Sequence, residues 1–179
     1  MNAIILYFWQ LSLCRENPKN SPYSLGLMLF CGFLLLILLV MQWWLSDFEI
    51  SADLLFVNLA AFCLLVSYVL YTYALLAFRN IASRAVQTIT CLFATHTIVH
   101  LFAMPLILTA PFLNRFNLEN PLLLLLAVVY LMATLGLSIW QFIITAHIYK
   151  DALDCNPVQS VLAAFGLIAV NILTLTFWR

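Results

Sequence analysis

Five near-continuous apolar runs constrain this chain more than any other feature. They cover about 25–45, 54–78, 85–110, 122–148 and 158–178, and short polar connections join them. About 20 apolar residues is the length a helix needs to cross the ~30 Å hydrocarbon core of a bilayer. The sequence is 66% hydrophobic and 8% charged, where a soluble domain carries about a quarter charged residues. A water-soluble fold of 179 residues cannot hide that much apolar surface. The expected fold is therefore all-α: a polytopic membrane protein with five transmembrane helices in one membrane domain, residues 1–179.

The remaining segments are short. Residues 1–13, MNAIILYFWQLSL, are apolar but too short to span, and Tyr7 and Trp9 are of the type that settles at headgroup depth. They are read as an interfacial helix, not a cleaved leader, because they lack a basic n-region and a small-residue cleavage site. CRENPKNSPYS follows, with two prolines that break any helix. Span one ends on Trp43–Trp44, a belt anchor. The connections carry Asp47, Glu49 and Asp53, then Arg79 and Arg84, then Arg115 and Glu119, then Lys150, Asp151 and Asp154.

With five spans, Arg15, Lys19, Arg79, Arg84 and Lys150 fall on one side, and Arg115 and Arg179 on the other. The excess of basic residues predicts a cytoplasmic N-terminus and an outside C-terminus. Net charge is zero, so nothing favours nucleic acid. Cys14, Cys31, Cys63, Cys91 and Cys155 are scattered, with no CxxC, and read as small packing residues. No glycine-rich phosphate loop, GxSxG or HExxH occurs, and Asp151 and Asp154 read as a solvated turn. No catalytic residue, cofactor or metal is expected.

The third span alone places ionisable side chains near its middle. His96 and His100 are one turn apart and project from one face. Pro105 follows about a turn later, where it removes a backbone donor and frees a carbonyl near Leu101. A bis-histidine haem needs ligands at one depth on facing helices, yet His147 is offset from His96 by roughly 15 Å at 1.5 Å per residue. A metal would need further ligands, and no span contains Asp or Glu. Span four adds Thr134, Ser138, Gln141 and Thr145 at helical spacing. Two expectations follow. The histidines bond as neutral groups to Ser, Thr or Tyr of neighbouring spans, or the face formed by His96, His100, Ser138, Gln141 and Thr145 lines a polar cavity or proton path. Tyr68 and Tyr71, with Pro105, are the expected packing seam.

The layout resembles the Yip family (Ypt-interacting proteins), in its bacterial form. The likeness is carried by ENPKNSPYS ahead of span one, by RAVQTITCLFATHTIVHLFAMPLIL with its late proline, and by SIWQFIITAHIYKDALDCNPVQSVLAAF with a Trp before a turn. It implies a small five-span inner-membrane protein and transfers no functional residue. The function expected is a non-enzymatic accessory subunit or membrane organiser, with the lipid bilayer and other membrane subunits or further copies of itself as partners. The alternative is a small transporter or proton-conducting module on the polar face.

Overall fold

The computed structural model describes residues 2–45, 54–113 and 121–178. These residues form six helices and no strand: α1 (Asn2–Ser12), α2 (Leu25–Leu45), α3 (Leu54–Phe78), α4 (Ala85–Leu113), α5 (Pro121–Ala152) and α6 (Pro157–Phe177). The last five are long and apolar enough to cross a membrane. The connections with Asp47, Glu49, Asp53, Arg115 and Glu119, and the terminal Arg179, lie outside the described residues.

The helix boundaries have local causes. Pro121 and Pro157 open α5 and α6 at a position where a missing N–H costs nothing. Asn156 caps α6, its side chain accepting from the Gln159 N–H at 2.8 Å. Three helices stop with a residue in the left-handed region: Cys14 (φ 57°), Asn80 (φ 59°) and Asp154 (φ 47°). At each, the next N–H reaches back five residues, Arg15 to Gln10, Ile81 to Leu76 and Cys155 to Lys150. This bond satisfies a carbonyl that the helix end would leave bare.

Helix α4 is the centre. It packs against α1, α2, α3 and α5, and every residue from Thr88 to Thr97 is buried. Helix α6 completes the bundle against α3 and α5. The close approaches fall at small residues. A Cβ on Gly32 would meet the Phe93 ring at 3.1 Å, and one on Gly166 would meet Tyr71 Oη at 2.1 Å. Around this core the outer faces stay apolar: Leu55 is 71% exposed, Leu173 70% and Phe177 87%. Lipid is the solvent that tolerates such a surface.

One part of the bundle has few neighbours. From residue 121 to residue 143 of α5 no side chain is buried, and the same holds for residues 101–110 of α4. The two helices leave the core as an apolar arm, with Leu125, Leu131 and Met132 each more than half exposed.

The N-terminal segment folds onto the bundle. Phe8 and Leu11 of α1 are buried. The Trp140 indole donates to the Ser12 carbonyl at 2.8 Å, and Trp9 packs against Phe102, which packs on Trp140. Residues 15–21 then run over the ends of α4 and α5. Gln87 Nε2 donates to the Ser21 carbonyl at 2.7 Å, and His147 Nε2 to the Glu16 carbonyl at 3.0 Å.

Candidate functional site

The polar side chains of the spans divide into those that bond their own helix and those that cross to another. Thr88, Thr90, Thr95 and Thr97 each donate to the carbonyl four residues back. Such back-bonding satisfies the hydroxyl without linking helices. Thr134, Ser138 and Asn58 also bond within their own helices. The expected stripe of α5 therefore contributes only Gln141 and Thr145 to a neighbour.

That neighbour is His96, which is buried. Its Nε2 lies 3.0 Å from Thr145 Oγ1, and its Nδ1 lies 3.1 Å from Tyr68 Oη and 3.2 Å from Gln141 Nε2. The tautomer follows from the hydroxyl. Thr145 commits its one proton to the Gln141 carbonyl at 2.8 Å, so its oxygen must accept from His96. Nε2 therefore carries the proton, and Nδ1 is the acceptor for the Tyr68 hydroxyl and the Gln141 amide. Three helices, α3, α4 and α5, meet on one neutral imidazole.

His100 does not share this site. It turns to α2, where Gln42 Oε1 lies 2.7 Å from His100 Nδ1 and Gln42 Nε2 donates to the His100 carbonyl at 2.8 Å. A carbonyl can only accept, so the amide orientation is set and Nδ1 of His100 must be the donor. Helix α4 runs on through Pro105 to Leu113. The proline removes the N–H that would reach Leu101, and in that same turn Gln42 claims the adjacent carbonyl. The single polar face expected from His96, His100, Ser138, Gln141 and Thr145 is thus two separate fasteners.

The expected seam also divides. Tyr68 is buried on His96, while Tyr71 goes to α6 and donates to the Ala163 carbonyl at 2.8 Å. Pro105 stands exposed. Rotation explains this, because uniform hydropathy leaves the facing of a span undetermined. Deeper toward the basic end, Thr72 Oγ1 and Tyr149 Oη pair at 2.9 Å across α3 and α5.

A cavity of about 170 Å³ opens beside His96, lined by Tyr68, Ser138, Gln141, Thr145 and Asn171 among others. It has room for several water molecules. Asn171 Oδ1 accepts from Ser67 Oγ at 3.3 Å.

The turn at Asp151–Asp154, expected to be solvated, is a clasp. Asp154 accepts from Lys19 and, at 2.7 Å, from Arg84 Nη1, which also reaches the Ala152 carbonyl at 3.3 Å. The hydrogen bond from Lys19, then that from Arg84, holds the Asp154 carboxyl below the usual carboxylate range. Burial pushes the Cys14 and Cys155 thiols up, away from the reactive thiolate. Among the described residues no three His, Cys, Asp or Glu side chains gather as a metal site would require.

Gln42, Thr72–Tyr149 and the Asp154 clasp escaped sequence reasoning. A lone glutamine just before Trp43–Trp44, in an otherwise apolar run, was the signal for the first. Comparison of the chain with family models, curated proteins and solved structures finds no match.

Proposed function

We propose that this protein is a structural and interaction subunit of a membrane, an accessory or organising element with no reaction centre of its own. Its place among bacterial Yip-like proteins, in the inner membrane with the basic end toward the cytoplasm, belongs to the same proposal. The orientation within that proposal is supported by Lys19, Arg79, Arg84 and Lys150, which lie at the helix ends on one side of the bundle.

The observation that carries the reading is the arm. Residues 121–136, the first half of α5, contain no buried side chain, so this half of the helix has surface to offer. Meanwhile the polar groups that a transporter would use are consumed by the His96 and His100 fasteners. Another membrane protein, or a second copy, packed on the arm would bury this surface. Helix pairing in lipid rests on close van der Waals fit, because burial gains little there.

Gly136 makes the test. Gly136 is exposed and a Cβ there meets nothing within 4 Å, so Gly136→Leu adds bulk to the arm from a point of open space. Extraction in mild detergent followed by mass spectrometry should show a stoichiometric partner or self-complex with the native chain and lose it with Gly136→Leu. A protein that emerges alone in both cases overturns the reading.

The second reading, a small solute or proton path, is favoured by the cavity beside His96. It requires pH-dependent flux in liposomes, abolished by His96→Leu in a protein that still assembles.

A further inference from the structure

At the basic end, a groove of about 430 Å³ lies between α3 and α6. Its walls are apolar, formed by Leu75, Phe78, Leu153 and Leu162, and its rim carries Arg79 and Gln159. Phe78 is 87% exposed and Leu162 64% exposed, so the groove continues into the lipid-facing surface.

The charge at the rim is unanswered. Lys19 and Arg84 share Asp154, but the Arg79 guanidinium donates to the neutral Gln159 Oε1 at 2.9 Å, and among the described residues no carboxylate pairs with it. Five basic side chains (Arg15, Lys19, Arg79, Arg84, Lys150) and three acidic ones (Glu16, Asp151, Asp154) belong to this end, an excess of two positive charges.

We propose that this groove is a binding site for an anionic phospholipid, with the phosphodiester on Arg79 and an acyl chain along Leu75, Phe78 and Leu162. The proposal goes beyond the structural role and does not depend on it. A guanidinium offers a planar fork that matches phosphate oxygens, and one bond to an amide leaves donors free. A free phosphate would answer the charge but leave the apolar walls bare. A neutral phospholipid would fill the walls and bring its own cation to compete with Arg79. Only an anionic headgroup on an acyl chain satisfies both halves of the groove.

The test is thermal unfolding of the full chain in dodecyl maltoside with added dioleoyl-phosphatidylglycerol, dioleoyl-phosphatidylcholine or inorganic phosphate. At about a hundred times its dissociation constant, phosphatidylglycerol should raise the midpoint by about 5–10 °C. Phosphatidylcholine and phosphate should do far less. Arg79→Gln should weaken phosphatidylglycerol binding about ten- to hundredfold, and its single bond to an exposed partner makes misfolding no concern. Leu162→Gln should weaken it from the apolar side, and Lys150→Gln, exposed and outside the groove, should weaken it far less than Arg79→Gln. Equal stabilisation by the two lipids, an equal effect of free phosphate, or full retention in Arg79→Gln would overturn the assignment.

Discussion

Two glycines give twin substitutions with opposite expected outcomes. A Cβ on Gly166 would lie 2.1 Å from Tyr71 Oη and 2.9 Å from its Cζ, while one on Gly136 meets nothing within 4 Å. In Gly166→Ala the tyrosine must swing away. It then gives up its 2.8 Å bond to the Ala163 carbonyl and its edge contact with Tyr149, whose centroid is 6.3 Å away. A hydrogen bond within the membrane is worth about 0.6–1.7 kcal/mol, and an aromatic pair about 0.5–1.5 kcal/mol. Replacing a helical glycine by alanine gains up to about 1 kcal/mol of propensity at either site, so that gain cancels in the comparison. Gly166→Ala should therefore be less stable than Gly136→Ala by about 1–3 kcal/mol. Unfolding in mixed micelles by titration with SDS reads this difference directly. In a Tyr71→Ala background the gap should close, because the obstructing hydroxyl is gone. Equal stability of the twins in the native background would show that Tyr71 is not lodged against α6, and the α3–α6 packing described above would be wrong.

Three further perturbations separate the fasteners. His96→Leu removes bonds to Tyr68, Gln141 and Thr145 and should cost about 2 kcal/mol, at about 0.6 kcal/mol each; the same SDS titration checks it. Trp140→Phe keeps the ring but loses the donor to Ser12, so hydrogen exchange in residues 2–12 should quicken while the core amides hold their protection. Because the folded pKa of Asp154 is depressed, its contribution is present above the ordinary carboxylate value of about 3.9 and is lost as pH falls through the lower folded one. Stability of the native chain should thus drop below about pH 4 more steeply than that of Asp154→Asn, with the two curves parallel from pH 5 to 8.

The fold was largely legible because bilayer thickness imposes one length on every span. The observed α2 and α3 share the expected bounds, 25–45 and 54–78. The expected fourth span stops at Ile148, before Lys150 and Asp151. The helix in fact runs a turn further to Ala152, since Tyr149 is buried and bonded to Thr72. Residue types also pointed to His96, His100, Ser138, Gln141 and Thr145 as one face, of which His96, Gln141 and Thr145 bond to one another. What hydropathy could not supply was rotation. His96 and His100 share a side of α4 yet serve different neighbours, and Pro105 turns outward. The Asp154 clasp joins residues 135 and 70 positions apart, a separation that no local pattern reports.

The central claim is that His96 and His100 fasten neighbouring helices as neutral imidazoles. The most direct measurement is the ¹⁵N chemical shifts of the histidine ring nitrogens in the lipid-reconstituted protein at pH 7.5. His96 should show a protonated Nε2 and an accepting Nδ1, and His100 the reverse, with Nδ1 protonated against Gln42. An imidazolium signature at either residue, or a protonated Nε2 with a bare Nδ1 at His100, would contradict the claim and move the balance to the proton-path reading.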